Sequence, residues 1–327
     1  MMLYVLGNGF SIDLVRKLNA DDSIDLFNLF SKGDNIPTDD VGGYLSSRFC
    51  ENLCEHGLSP KICKLTASDY MNEIITSFNV YAKWNKKFHM TTRSSIGNKY
   101  IETYNQLNKY LKKLFIYYDS LISDERLLEL IKNENIALIN NIKLELEQHS
   151  HIDIITYNYD IFLERLLDLC GIRYNVDGFN YDSKNRITIY KPHGSINFDL
   201  IQSKYEVNMI EGLTKSIDKF KITNRNDLSY EFKISALIPP FGDANQNANG
   251  WIGAIQQGIN NLIVSESDEV YFFGLSYGEI DRNEIDEILI KIPERTKVFY
   301  INPKPTRAFD YVLKTMFKNY KQLTHLI

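Results

Sequence analysis

The stretch Ile152-Asp153-Ile154-Ile155-Thr156-Tyr157-Asn158-Tyr159-Asp160 is an apolar run that ends in polar residues. The residues after it repeat apolar side chains at the spacing of one buried helix face, namely Ile161, Phe162, Leu166 and Leu169. In an open parallel sheet, ligands bind in the crevice at the carboxyl ends of the strands. We therefore expect Thr156, Asn158 and Asp160 to stand in such a crevice, with Asp160 at the start of the helix.

Three further apolar runs end in the same way. Met2–Leu6 precedes Gly7-Asn8-Gly9-Phe10-Ser11, Ile187–Tyr190 precedes Lys191-Pro192-His193-Gly194-Ser195, and Val270–Phe273 precedes Gly274-Leu275-Ser276-Tyr277. Short apolar runs that alternate with helical patterns and end in small or polar residues are typical of α/β proteins. The sequence therefore predicts an α/β fold with a doubly wound parallel sheet, whose loops converge on one ligand.

The first of these loops, Gly7-Asn8-Gly9-Phe10-Ser11, fits a turn in which small residues let the backbone approach a pyrophosphate at a helix N-terminus, with Ser11 as a candidate helix cap. A simple strand-to-helix turn is the alternative. Ile12 stands in place of the third glycine of the dehydrogenase fingerprint, and no second strand ending in an acid follows within about 20 residues. The pattern therefore argues against a hydride-transferring enzyme.

Taken in order, these loops and Ile301-Asn302-Pro303 resemble the motifs of the sirtuin-like NAD-consuming domain, and more narrowly those of the bacterial sirtuin-like NAD hydrolases of antiphage defence. The resemblance covers the first strand and roughly the second half of the chain. It implies a Rossmann-like NAD-binding domain at residues 1–20 and 150–327, with NAD as substrate and with Asn158 and His193 as the catalytic residues. The cofactor-binding residues that it implies are Gly7, Asn8, Gly9, Phe10, Ser11, Thr156, Asp160, Gly274, Ser276 and Asn302.

Cleavage of the bond between nicotinamide and ribose needs little acid catalysis, because the leaving group is already cationic. The reaction depends on stabilising an oxocarbenium-like ribose and on placing a water or hydroxyl. The amide of Asn158 suits the orientation of ribose and water, and a neutral His193 suits acceptance of a proton. Structural alternatives exist at several positions: a hydrogen-bonded turn for His193, a helix cap for Asp160, a strand end for Gly274 and a turn for Asn302.

Residues 21–149 predict a mostly helical insertion after the first strand, which begins with a turn-rich segment that could close over a ligand. Helical periodicity starts at Tyr70, and a third helix spans about residues 135–147. The clearest seam advances in steps of four and three through Tyr100, Tyr104, Leu107, Leu111, Leu114, Tyr118 and Leu121. We interpret this seam as the core of a helical subdomain, with self-association as a further use of part of it.

Cysteine usage predicts no metal site. Cys50, Cys54 and Cys63 cluster near His56, but their gaps are irregular, unlike the paired knuckles of structural zinc sites. The polar segment at residues 198–231, which we interpret as an excursion or lid over the crevice before a further strand, has no cysteine. Protein-deacylating sirtuins carry a four-cysteine zinc ribbon in this part of the chain. The resemblance therefore extends to the residues that cleave NAD and does not include the zinc ribbon.

Composition indicates a folded protein of a reducing cytoplasm. The chain has 327 residues, of which 44% are hydrophobic, and these suffice for one large or two ordinary domains. Its net charge of -5 shows no excess of positive charge that would attract a phosphate backbone, so we expect no direct nucleic-acid ligand. The chain has no apolar run near the roughly 20 residues that span a bilayer and no basic leader, so we expect a cytoplasmic protein without membrane contact.

The leading interpretation is an NAD hydrolase that releases nicotinamide and ADP-ribose. The alternatives are an NAD-dependent protein deacylase or ADP-ribosyltransferase, and a non-catalytic nucleotide-sensing scaffold. The resemblance implies a role as an NAD-depleting effector in bacterial antiviral defence by abortive infection, with a possible partner protein such as a HerA-type ATPase. We also expect a homo-oligomer.

Overall fold

The computed structural model describes residues 1–39, 42–87, 99–133, 136–148, 151–201, 215–231, 235–239, 250–278 and 282–325. In chain order its helices and strands are β1 (Met2–Leu6), α1 (Asn8–Lys17), α2 (Glu51–Glu55), α3 (Lys64–Lys87), α4 (Lys99–Ser120), α5 (Asp124–Lys132), α6 (Ala137–Gln148), β2 (Ile152–Thr156), α7 (Phe162–Leu169), β3 (Asn175–Val176), β4 (Ile187–Tyr190), β5 (Gly194–Leu200), β6 (Phe220–Ile222), β7 (Ser235–Leu237), α8 (Trp251–Asn260), β8 (Glu269–Phe273), α9 (Arg282–Leu289), β9 (Lys297–Ile301), α10 (Arg307–Met316) and β10 (Asn319–Leu323). Short 3-10 helices at Ile217–Lys219 and Arg225–Asp227 flank β6.

Within the described residues, seven strands form one parallel sheet in the order β10-β9-β8-β1-β2-β4-β3. From β1 the chain builds one half of the sheet through β2, β3 and β4, and it later returns to the other side of β1 to add β8, β9 and β10. The order therefore reverses between β1 and β8, and such a switch point opens a crevice at the carboxyl ends of the strands. This arrangement confirms the predicted α/β fold with a parallel, Rossmann-like sheet.

The central strands are buried along their whole length. All five residues of β1 and all five of β2 are buried. A parallel strand covered on both faces needs such a continuous apolar run rather than alternation, because helices pack against both sides. The polar residues that follow each run are therefore the first ones free to face a ligand.

The seam of the insertion is a core, as interpreted from its spacing. Tyr104, Leu107, Leu111, Leu114 and Tyr118 are all buried, and the ring of Tyr104 stacks on Phe78 of α3 with 3.7 Å between centroids. Only the first position of the seam, Tyr100, is clearly exposed, at 56%. Most of the seam is therefore used inside the chain and presents little surface to a second copy.

The insertion is tied to the sheet by polar contacts as well as by apolar packing. Asn141 of α6 donates to the hydroxyl of Tyr4 in β1 (2.8 Å). The buried ammonium group of Lys112 in α4 pairs with Asp199 of β5, and burial lowers the pKa of that lysine. Arg165 of α7 bonds Asp119 at 2.8 Å. These contacts place the insertion against the same core as the sheet.

A second, antiparallel sheet has the order β6-β5-β7 in the described residues. The spacing of apolar residues in the sequence predicts neither β5 nor β6. Part of the polar segment that we interpreted as a lid instead forms β6 at the edge of this sheet. Residues 202–214 of that segment, and residues 232–234 before β7, lie outside the described residues. Since β5 begins directly after His193, this sheet anchors the loop that carries the histidine.

Candidate active site

A cleft of about 970 Å³ opens at the carboxyl ends of the parallel strands. Its walls come from the loops after β1, β2, β4, β8, β9 and β10, from α1, and from the insertion, which contributes residues 26–30, the start of α3, Phe115 and residues 136–138. The predicted site residues that line it are Gly7, Asn8, Gly9, Phe10, Asn158, Asp160, His193, Gly274, Ser276 and Asn302. Ser11 and Thr156 lie behind this wall, and both are buried.

Three glycines, Gly7, Gly9 and Gly274, lie where the loops after β1 and β8 meet. The amide of Gly9 donates to the carbonyl of Gly274 (3.0 Å), and a Cβ atom on Gly9 would lie 2.5 Å from the Cα atom of Gly274. Gly274 itself has φ +65°, in the region that favours glycine. The close approach of the two backbones therefore demands small residues at this end of the cleft, whatever ligand binds there.

Helix α1 begins earlier than the sequence suggested. Its N-cap is Gly7, with an extended backbone, and its first residue is Asn8, so Ser11 lies inside the helix and does not cap it. The side chain of Asn8 instead donates to the carbonyl of Leu26 (2.9 Å) and holds the insertion segment over the cleft. The earlier start turns the hydroxyl of Ser11 inward, where it meets the loop after β2.

A chain of hydrogen bonds orients Asn158. The Ser11 hydroxyl donates to Oδ2 of Asp160 (2.7 Å), and Nδ2 of Asn158 donates to Oγ of Ser11 (3.0 Å). An ionised carboxylate can only accept a hydrogen bond. The hydroxyl of Ser11 must therefore donate its hydrogen to Asp160, and its oxygen accepts from Asn158. The amide nitrogen therefore faces Ser11, and among the described residues none donates to the amide oxygen.

The backbone around Asn158 is also held. The backbone N–H of Asn158 donates to the side-chain hydroxyl of Thr156 (3.3 Å). Thr156 therefore has a local structural role. Oδ1 of Asp160 accepts from the backbone N–H of Phe162 (3.1 Å), next to the first turn of α7. Burial raises the pKa of Asp160 to about 6, against the opposing pull of Lys191 and of these hydrogen bonds. The N-cap of α7 is Ile161, so Asp160 is not the helix cap that one alternative made it. It stands one residue before the cap and accepts from the first residue of the helix, while its other oxygen holds Ser11.

The loop that carries His193 is locked from both sides. Gly194, at φ +80°, approaches Ala236 so closely that a Cβ atom would lie 1.9 Å from the carbonyl oxygen of that residue. The buried ammonium group of Lys191 donates to the backbone oxygen of Asp160 and to Glu164, each at 2.7 Å. These contacts fasten the loop after β4 to the loop after β2, and so hold His193 and Asn158 on one wall.

His193 packs against aromatic rings and a carboxylate. The rings of Tyr157 and Tyr159 lie 5.0 and 6.5 Å from the imidazole centroid. Its Nε2 atom lies 3.0 Å from Oε2 of Glu284 in α9, and both side chains are almost fully buried. Sequence reasoning missed Glu284, although one signal was present: it precedes Ile285 on the buried stripe of α9, where a carboxylate is unexpected.

The far end of the site contains Ser276 and Asn302. Asn302 donates to the carbonyl of Leu275 and to the Tyr300 hydroxyl, both at 3.1 Å, and its Oδ1 accepts from the backbone N–H of Lys304 (3.0 Å). Asn302 therefore builds the turn after β9, which was its structural alternative, and it lines the cleft at the same time. Ser276 is exposed beside this turn, and its backbone oxygen accepts from the hydroxyl of Thr306 (2.6 Å).

The cleft is more cationic than the rest of the chain. Four cations line its described part, Arg16, Lys17, Lys64 and Lys304, against the two carboxyl groups of Asp13 and Asp160. The difference is an excess of two positive charges in a chain of net charge -5. A cationic concavity raises the local concentration of anions, so this site favours a negatively charged ligand.

Within the described residues, His, Cys, Asp and Glu side chains do not gather in groups of three or more that could hold a metal ion. Across the same residues, none of the helices combines the length and the apolar character needed to span a membrane. Neither protein-family models nor curated protein sequences match this chain.

Proposed function

We propose that this protein is an NAD hydrolase that cleaves the bond between nicotinamide and ribose and releases nicotinamide and ADP-ribose. The observation that carries the proposal is the Asn158 amide, fixed through Ser11 and Asp160, on the same cleft wall as a buried histidine that faces a carboxylate. An orienting amide and a base are the two groups that this reaction asks of the protein, since its leaving group departs without protonation.

The chemistry follows from the hydrogen-bond directions. The amide oxygen of Asn158 accepts from a ribose hydroxyl or from the attacking water and orients it toward the anomeric carbon. As the C–N bond breaks, nicotinamide leaves as a neutral molecule and positive charge develops on the ribose. Water forms the new C–O bond, and its proton passes to neutral His193 and then to solvent. The overall reaction turns NAD and water into nicotinamide, ADP-ribose and one proton.

The size and charge of the cleft support a dinucleotide. Ligand pockets of about 300–1,000 Å³ suit small molecules of this class, and the cleft is near the upper end. Its excess positive charge complements a diphosphate. Gly7, Asn8 and Gly9 line the cleft at the N-terminus of α1, a helix end that favours anions.

The cellular role that we propose is NAD depletion in bacterial antiviral defence, with assembly or a HerA-type ATPase as the trigger. It rests on the motifs after β1, β2, β4, β8 and β9. Since most of the α4 seam is buried within the chain, a homo-oligomer would have to use another surface.

The test is to incubate purified protein with NAD and to quantify nicotinamide and ADP-ribose by chromatography, with and without an acyl-lysine peptide and with and without the protein encoded next to it. We expect release that does not need the peptide. Asn158→Ala and His193→Ala should each lower the rate by about 10²–10⁴-fold. Release only with the peptide would indicate a deacylase, and NAD binding without release under every condition would indicate a sensor.

A further inference from the structure

Glu284 is a carboxylate in a place where a helix normally buries an apolar side chain. It lies on α9 beside Ile285, one turn before Ile288, and both isoleucines are buried. The side chain of Glu284 is 7% exposed, and that of His193 is 6% exposed. Burying a carboxylate costs free energy unless a donor compensates it, and the donor here is the imidazole at 3.0 Å.

The position of Glu284 is set by packing and not by local sequence. Helix α9 follows β8 in the chain, whereas His193 belongs to the loop after β4, on the other side of β1 in the sheet. The helix is pinned by its buried apolar stripe, and Oδ1 of Asp286 accepts from the Tyr277 hydroxyl at 2.6 Å. Glu284 is therefore presented on a packed helix, and His193 on a loop that the contacts of Lys191 and Gly194 hold in place, as a positioned side chain requires.

The contact decides which ring nitrogen of His193 carries the proton. A carboxylate has no hydrogen to donate, so the hydrogen of this bond belongs to Nε2. In the neutral ring the lone pair then lies on Nδ1. When a proton is added at Nδ1, the imidazolium that forms stands 3.0 Å from a negative charge, in surroundings where water screens that attraction little.

We propose that Glu284 is a positioning residue for His193, holding the ring with its proton on Nε2 so that Nδ1 acts as the base in NAD cleavage. This inference rests on the proposed function. Tyr157 and Tyr159 pack against the ring, and the carboxyl group of Asp160 is committed to Ser11 and Phe162.

The first test uses Glu284→Gln, which keeps the shape and an oxygen acceptor but removes the charge. We expect kcat to fall on the order of 10- to 10⁴-fold, the range over which carboxylates behind functional histidines act, with little change in KM. Glu284→Asp should recover part of the lost rate, because it restores the charge at a longer reach. Glu287→Gln is the matched control, since Glu287 is exposed on the same helix, and it should leave kcat unchanged.

The second test does not depend on turnover. The ¹⁵N chemical shifts of His193, assigned by their loss in His193→Ala, distinguish an Nε2–H ring from an Nδ1–H ring. We expect the Nε2–H form in the unmutated protein and a mixture of both forms in Glu284→Ala.

The outcomes separate the two proposals. No release of nicotinamide by unmutated protein under any condition would overturn the proposed function, and the catalytic role of Glu284 with it. An active protein whose Glu284→Gln variant kept its kcat, or gained rate, would overturn the role of Glu284 alone. An Nδ1–H ring in the unmutated protein would overturn the inference whatever the activity.

Discussion

The side-chain amide of Asn158 donates to the hydroxyl of Ser11 across 3.0 Å, although 147 positions separate the two residues in the chain. The bond joins the loop after β2 to the first turns of α1, and Asp160 completes it from the other side. Two residues that motif resemblance assigned to cofactor binding thus act on the orientation of a third. The wall of the cleft is fixed by contacts that face away from the ligand.

Ser11→Ala should impair both folding and turnover. It leaves Nδ2 of Asn158 and Oδ2 of Asp160 without this partner in a buried place, so the free energy of unfolding should fall by about 1–3 kcal/mol. Loss of the bond that orients Asn158 should lower kcat about tenfold. Urea denaturation and nicotinamide release measure the two effects, with the exposed Ser267→Ala as control. A stability loss with unchanged kcat would mean that Ser11 is purely structural.

The buried carboxyl group of Asp160 should make stability depend on pH. Its pKa is raised by burial from 3.8 to about 6, so the folded state keeps the proton to higher pH than the unfolded state does. The protonated carboxyl group therefore adds to the free energy of unfolding in full below pH 4. As the pH rises to 6, this free energy falls by roughly 3 kcal/mol. The difference in unfolding free energy between unmutated protein and Asp160→Asn should therefore shrink or reverse over that window, then stay level. A difference that is flat between pH 4 and 7 would contradict the raised pKa.

Gly9→Ala should separate the loops after β1 and β8. The added Cβ atom would lie 2.5 Å from a backbone atom of Gly274, so one loop must move, at a cost of about 1–3 kcal/mol or more. Gly278→Ala is the control, because its Cβ atom would meet nothing closer than 3.9 Å. Denaturation curves should show a loss only for Gly9→Ala, accompanied by weaker binding of NAD in calorimetry. Equal stability of the two variants would count against the close approach.

The cations at the outer end of the cleft should contribute to the capture of an anionic substrate. Arg16 and Lys64 lie 5.6 and 5.1 Å from the ring centroid of Phe27, which is 48% exposed. The double variant Arg16→Gln with Lys64→Gln should raise KM several-fold at low salt, with kcat unchanged, and added salt should reduce the difference. The double variant Lys318→Gln with Lys219→Gln, at exposed pairs with Glu294 and Asp218, likewise removes two positive charges, here outside the cleft, and controls for net charge. If KM depended on salt in the same way in the cleft variant and in the control variant, the cations of the cleft would have no local effect on substrate capture.

The sequence by itself determined the class of the fold and the position of the candidate site at the carboxyl ends of the strands. Continuous apolar runs such as Met2–Leu6 and Ile152–Thr156 form central strands because they suit burial on two faces, and helical periodicity recurs between them. Loops that follow such strands must meet at one edge of the sheet. The prediction that these loops, with Asn158 and His193, lie together therefore needed only local pattern and the rules of parallel sheets.

Only the tertiary structure decided which side chains meet. The bonds from Asn158 to Ser11 and from His193 to Glu284 join residues 147 and 91 positions apart, and no spacing rule connects them. Ser11 looked like a cap because local sequence does not show that contact with Gly274 starts α1 at Asn8. Periodicity reports which face of a helix is buried, whereas the partner of a buried polar group is set by how the elements pack, and that is a property of the whole fold.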